Sequence, residues 1–176
     1  MQLITAGAAL SGVVLSLLAN AYLERRRARD AHALEAMRVD LDRAKWLREE
    51  RVKAYGGLSL AAEEAQQFIR SELPLLLGPD GAGRRAAVED RWRELRTDLR
   101  KAYDQVALFG GDQVRAEALS IWRLARNGAN DFLHDLDLDG ADRDARLAAR
   151  IRTVASELGT AGNRFLEACR RDLQGG

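Results

Sequence analysis

The sequence contains little cysteine, proline or aromatic residue, and each shortage excludes a class of protein. A single cysteine, Cys169, excludes an intrachain disulfide and a cysteine-rich zinc site, and it fits a reducing compartment. Free cysteines are usually buried, so we expect this thiol inside the packing of the last helix. Two prolines and 6% aromatic residues, beside abundant alanine, leucine, arginine and glutamate, are typical of helical proteins. The composition therefore predicts an all-α fold.

The chain also lacks an excess of either charge, since 28 lysine and arginine residues are balanced by 27 aspartate and glutamate residues. A near-neutral balance provides no broad electrostatic attraction to nucleic acid or to an acidic substrate. We therefore expect no nucleic-acid partner, and any basic surface must be local.

Sequence patterns typical of enzymes are missing as well. There is no nucleophile elbow, phosphate-binding loop or paired histidine-glutamate motif. His32 and His134 lie far apart without a partner at metal-ligand spacing, and the Glu-x-x-His motif of di-iron bundles does not occur. We therefore expect no enzyme activity, no cofactor, and no catalytic, cofactor-binding or metal-ligating residue.

One stretch, DLDLDG beginning at Asp135, imitates the first half of a calcium-binding loop. The second half of the loop pattern is not met. Position eight is Asp142, where an apolar residue is usual, and position twelve is Arg146, where a bidentate glutamate closes a calcium site. We therefore interpret the stretch as an acidic loop between helices, with Asp142 or Asp144 capping the helix that follows.

The N-terminal residues 1–23 carry no charged side chain. As a helix, residues 3–23 span about 31 Å, which matches the roughly 30 Å hydrocarbon core of a bilayer. An arginine cluster follows at Arg25, Arg26, Arg27 and Arg29, and such clusters stay on the cytoplasmic side. The pattern predicts a single-pass anchor at 1–23 in the cell membrane, with the N-terminus outside and the C-terminal domain in the cytoplasm.

Two other interpretations of the N-terminus remain open. A cleaved signal peptide is favoured by Ala19-Asn20-Ala21, which fits the small-residue cleavage pattern. It is opposed by the absence of a basic region before the apolar run and by the arginines just after the cut. The remaining interpretation is a helix buried in a soluble core.

Four apolar seams with alternating three- and four-residue spacing predict an antiparallel, up-down-up-down four-helix bundle over 46–176. We expect the first helix to bend near Gly56 and to end near Pro74. The second should span 84–109, and Asp112 should cap the third. The seams are Tyr55, Leu58, Ala62, Ala65 and Ile69; Val88, Trp92, Leu95, Leu99, Ala102, Val106 and Phe109; Val114, Ala118, Ile121, Ala125, Gly128 and Phe132; and Leu147, Ile151, Val154, Leu158, Ala161, Phe165 and Cys169.

A helical stalk is predicted between the anchor and the bundle, at residues 24–45. The second helix, at about 39 Å, can cover only residues 46–73 of the first. The stalk nevertheless carries an apolar stripe in heptad phase, which requires a cover. A strip of small residues in the anchor would also let two helices approach closely, so we expect a parallel homo-oligomer through anchor and stalk. The stripe is Ala31, Leu34, Met37, Leu41 and Ala44, and the strip is Ala8, Gly12 and Ser16.

The stretch WLREERVKAY at residues 46–55 follows an apolar N-terminus and an arginine cluster. With this combination, the first third of the chain resembles small, uncharacterised membrane-anchored helical proteins of actinobacterial type. The resemblance implies an anchor followed by a bundle, and it implies no activity. From the residues themselves, we expect Trp46 and Tyr55 to pack where the bundle begins, with the Arg51 head group turned toward an acidic neighbour.

Together these patterns favour a membrane-tethered helical bundle that recruits, spaces or organises an unknown protein partner, with the lipid bilayer as its other contact. Two alternatives stay open. One is a ligand-binding or enzymatic bundle with an unrecognised pocket. The other is an exported helical protein released by cleavage near Ala21.

Overall fold

The computed structural model describes the backbone of residues 2–138 and 142–175, and the side chains of 22–138, apart from Ala28, and 142–175. These residues form four α-helices and no strand, which confirms the all-α prediction. A short 3-10 helix joins the first two α-helices. The elements are α1 (Gln2–Ser71), the 3-10 helix (Leu73–Leu77), α2 (Gly81–Phe109), α3 (Asp112–Asp135) and α4 (Arg143–Gly175).

The chain divides into two compact units, Met1–Trp46 and Leu47–Gly176. The first unit is the N-terminal part of α1. The second is a helical bundle made of the rest of α1 together with the other helices. The bundle prediction is thereby confirmed.

Side-chain contacts establish how the bundle helices neighbour one another. The rings of Phe68 on α1 and Trp92 on α2 stack 5.7 Å apart, and Trp92 donates a 2.8 Å hydrogen bond to Asn130 on α3. Tyr55 on α1 meets Phe165 on α4 edge to face at 6.1 Å. Arg164 on α4 pairs with Glu117 on α3 at 3.0 Å. Each helix therefore contacts the next along the chain, α1 also contacts α4, and the four form a closed ring.

Most of the buried core consists of the predicted seam residues. Five of those residues are only partly buried, and eight further apolar residues are buried: Ala54, Phe68, Leu73, Leu76, Trp122, Ala129, Ala155 and Ala168. All of these additions except Leu76 lie one or four residues from a predicted position, because a helix repeats every 3.6 residues and drifts across a strict seven-residue pattern. The partly buried seam residues with an apolar side chain are Ala62, Ala102, Phe109 and Val154, and all four pack against the core.

Several predicted helix ends are shifted in the structure. α2 begins at Gly81 rather than at residue 84. Gly111, with extended backbone angles, occupies the N-cap position of α3, and Asp112 is the first helical residue, where its carboxylate pairs with Arg115. The prediction that Asp112 is the N-cap is therefore wrong by one residue. The N-cap residue lies just outside the helix and has non-helical backbone angles, and Gly111 rather than Asp112 has such angles. Helix α1 also continues without interruption through Gly56 and Gly57.

The structure bears on the predicted anchor only in part. Among the residues whose side chains are described, no helix is both long and apolar enough to cross a membrane. Almost all of the predicted anchor, 1–23, lies outside those residues, together with its strip of small side chains. The finding gives the anchor no support, and the anchor stays a prediction.

The core assignment predicts the effect of two truncations within residues 46–176. Leu95→Ala on α2 and Ile151→Ala on α4 each remove a buried side chain. Each should lower the free energy of unfolding by about 2 to 5 kcal/mol, because the surroundings close the cavity only in part. Leu60→Ala, at a side chain that is 60% exposed, should change it by less than about 0.5 kcal/mol. Denaturant melts showing equal effects at all three positions would contradict the assignment.

Candidate functional site

An exposed apolar stripe runs along the N-terminal unit. We call it the stalk stripe, and it consists of Ala31, Leu34, Met37, Leu41 and Ala44. Its three large side chains, Leu34, Met37 and Leu41, are 68%, 61% and 65% exposed. All five members lie within one α-helix at a spacing of three or four residues, so they share one face. The stripe is therefore continuous along about 20 Å of helix.

Burial of this stripe would stabilise a complex moderately. Fully burying a leucine or methionine side chain contributes roughly 1.5 to 3 kcal/mol, so covering the exposed two thirds of all three contributes on the order of 3 to 6 kcal/mol. Association of two free molecules costs about 4 to 15 kcal/mol. Even if burial of the partner's surface contributes as much again, the free energy of burial only about equals the cost of association. A complex through the stripe therefore needs a further contribution, such as tethering of both partners to one surface.

Basic side chains lie near the start of the stalk. Arg25, Arg26, Arg27 and Arg29 are all exposed, and none forms an ion pair among the described residues. Each basic residue near an anionic membrane surface contributes about 1 kcal/mol of attraction. At such a surface the four side chains together would contribute about 4 kcal/mol.

A polar cluster lies at one end of the bundle, where Arg51 on α1 contacts both α2 and α4. Its Nε donates a 2.9 Å hydrogen bond to the carbonyl oxygen of Phe109, and its Nη1 lies 3.4 Å from Oδ2 of Asp172. Tyr55, one turn along α1, donates its hydroxyl hydrogen to the same Asp172 oxygen at 2.6 Å. The predicted acidic neighbour of Arg51 is therefore Asp172, whose side chain is 17% exposed.

The surroundings of this cluster indicate that it joins helices together and is not a reactive centre. Burial, together with the hydrogen bond to Asp172, raises the pKa of Tyr55, so the phenol stays protonated at neutral pH. Burial raises the pKa of the nearby Cys169 thiol to about 12, so little nucleophilic thiolate forms. The backbone of Gly111 also lies so close to the Asp172 carboxylate that a Cβ there would collide with it. The cluster joins α1, α2 and α4 at the end where α3 begins.

Of the two aromatic residues expected at the start of the bundle, only Tyr55 belongs to the buried core. Trp46 is 53% exposed. Counting back from Leu58 in steps of three and four residues reaches Tyr55, Arg51 and Arg48. Trp46 does not fall in this series, so it lies on a different face of α1.

The acidic stretch beginning at Asp135 directs its described carboxylates toward arginines on other parts of the bundle. Arg150 donates a hydrogen bond to Asp135 at 2.7 Å, and Arg85 binds Asp137 through both guanidinium nitrogens. The hydrogen bond from Arg85 holds the pKa of Asp137 below its usual value. Residues 139–141 lie outside the described part of the chain. Asp142 directly precedes α4, and its carbonyl oxygen accepts a 3.0 Å hydrogen bond from the Arg146 backbone, as expected at a helix start.

The clefts of the bundle carry few features of a reaction site. One is an open groove of about 700 Å³ between α3 and α4, and its lining includes Asp131 and Arg150, which pair with each other at 2.6 Å. A second cleft of about 390 Å³ lies between the end of α1 and α4. Neither lining includes a histidine or cysteine. His32 and His134 are exposed, and the described residues contain no group of three or more side chains that could hold a metal ion.

The hydrogen bond from Tyr55 on α1 to Asp172 on α4 predicts that Tyr55→Phe is destabilising. The change removes a hydrogen bond to a carboxylate and leaves the ring in place, so the free energy of unfolding should fall by about 1 to 2 kcal/mol. Tyr103→Phe is the matched control, because among the described residues the Tyr103 hydroxyl has no hydrogen-bond partner. Equal melts for both variants would show that the Asp172 contact contributes nothing.

The acidic stretch predicts no calcium binding in the micromolar range. A site there would need carboxylates that are already paired with Arg150 and Arg85, and it lacks the closing glutamate. Titration calorimetry should therefore give no binding isotherm with calcium. A micromolar isotherm that Asp137→Ala abolishes would contradict the interpretation.

Compared with family models, with curated proteins and with solved structures, the chain matches none of them.

Proposed function

We propose that this protein is a membrane-tethered, non-enzymatic scaffold whose stalk stripe holds a protein partner while the bundle remains in the cytoplasm. The observation that carries the proposal is the exposure of Leu34, Met37 and Leu41 on one face of a helix. Contiguous apolar surface of this kind is typical of protein or membrane interaction sites. Single exposed leucines elsewhere on the bundle need no such explanation.

The tether is supported by the sequence of the N-terminus. Residues 1–23 are uncharged and long enough to span a bilayer, and the four exposed arginines that follow favour a cytoplasmic location for the rest of the chain. The tether also raises the effective concentration of copies or partners, because it holds them at one surface. This compensates for the modest free energy that burial of the stripe contributes. The two features therefore act together in the proposal.

The bundle serves this role as a rigid head. Its core is apolar, and among the described residues no polar or charged side chain is buried and no buried side-chain nitrogen or oxygen lacks a hydrogen-bond partner. Polar groups held ready for chemistry commonly have perturbed surroundings. Here the two buried groups with a raised pKa, Tyr55 and Cys169, adjoin the contacts of Asp172, and Asp137, whose pKa is lowered, is paired with Arg85. A scaffold accounts for this arrangement more simply than an enzyme does.

Fractionation with protease protection tests the tether. The full chain should resist carbonate extraction from membranes, and protease should remove the bundle only when it has access to the cytoplasmic face. Val13→Arg should release much of the protein, because an arginine at the centre of a span costs about 2.5 to 3.5 kcal/mol. Gln2→Arg, at the edge of the apolar run, is the matched control.

Two outcomes would contradict this proposal. A wild-type chain recovered without membranes, intact at its N-terminus, would remove the tether. A chain that begins after Ala21 and is recovered outside the cytoplasm would establish the exported alternative instead.

A further inference from the structure

The stalk stripe has the spacing of a short coiled-coil seam. Leu34 and Leu41 occupy heptad position a, and Met37 and Ala44 occupy position d. Residues at a and d of one helix insert between those of a facing helix, which must carry the same spacing. A second copy of this chain satisfies that condition by identity.

Charged residues flank the seam in an ordered way. Asp40 occupies position g, whereas Arg38 and Lys45 occupy position e. All three are exposed, and within the described residues neither Asp40 nor Lys45 has an ion-pair partner. Their charges are therefore available to a helix that packs on the stripe.

The positions of these charges distinguish the two possible helix orientations. In a parallel pair, position g of one helix faces position e of the next heptad on the other, which brings Asp40 opposite Lys45 twice across the pair. In an antiparallel pair, position e faces e and position g faces g. Arg38 would then approach its own equivalent, and so would Asp40, so each contact would be between like charges. The pattern favours the parallel orientation.

We propose that the stalk stripe is covered by the stalk stripe of a second copy, in parallel register, with Asp40 of each copy facing Lys45 of the other. The inference rests on the proposed function, because a seam of only two heptads is marginal without the local concentration that membrane tethering supplies. The parallel orientation also agrees with two copies entering one membrane from the same side.

Disulfide crosslinking of the full-length protein in its native membranes tests the seam. With Cys169 replaced by alanine, Met37→Cys or Leu41→Cys should give linked dimers on mild oxidation. Arg38→Cys or Asp42→Cys, which lie beside or away from the seam, should give few. Equal yields at all four positions, or no dimer at any, would overturn the proposal.

Charge reversal tests the register in the Met37→Cys, Cys169→Ala background. Asp40→Lys places lysine opposite lysine and should lower the dimer yield by roughly fivefold or more. Adding Lys45→Asp restores opposite charges only if these positions face each other in parallel, so the double variant should recover the yield. Asp42→Lys, at heptad position b, is the matched control and should change little. An unaffected Asp40→Lys variant, or a double variant that does not recover, would overturn the register.

One further pair of variants separates this proposal from the scaffold role itself. Leu34→Gln with Leu41→Gln makes the stripe polar and leaves the bundle residues unchanged. If it shrinks the native membrane complex although the cysteine variants form no dimer, the stripe holds a different protein and the proposal of a second copy is wrong. If the complex keeps its size and no dimer forms, both proposals fail. Loss of dimers together with a smaller complex supports both.

Discussion

The difference in length between α1 and the other helices is the constraint on which the rest of the structure depends. α1 has 70 residues, whereas α2 has 29 and α4 has 33. Helix length is proportional to residue number at 1.5 Å per residue, so neither helix can pair with α1 along its whole length. Among the described residues of α1, burial begins at Ala54. The apolar face before that point is exposed, and no other described residue of the chain covers it.

The contacts around Asp172 complete the bundle where this change occurs. α1 passes from exposed to buried within two turns, and Arg51 and Tyr55 bind α4 through the same carboxylate oxygen. Because that carboxylate is largely shielded from water, its hydrogen bonds are stronger than those of surface ion pairs. The opposite end of the bundle is joined by exposed pairs such as Arg85 with Asp137, which contribute little each. The end nearest residue 47 is therefore the more firmly tied of the two.

The proposed scaffold would need little chemistry, and its behaviour would depend on concentration and geometry. The stripe supplies an amount of apolar burial that nearly cancels the cost of association. Pairing would consequently respond to the density of the protein in the membrane. Asp40 and Lys45 of each copy would add little affinity. They would favour the parallel orientation of the two helices, as flanking charges do in coiled coils.

Much of the fold follows from the sequence alone, because spacing along a helix determines which side chains share a face. The seams through Leu95, Ile121 and Ile151, the helix end at Phe109 and the unpaired stalk stripe were all predictable in this way. Tertiary structure alone decided that Asp172 is the partner of Arg51 and Tyr55, 117 residues from the tyrosine. It also decided that Arg85 pairs with Asp137 and Arg150 with Asp135, and that about half of the Trp46 side chain stays exposed. Such pairings depend on how helices rotate and slide against one another, and no local spacing encodes that relation.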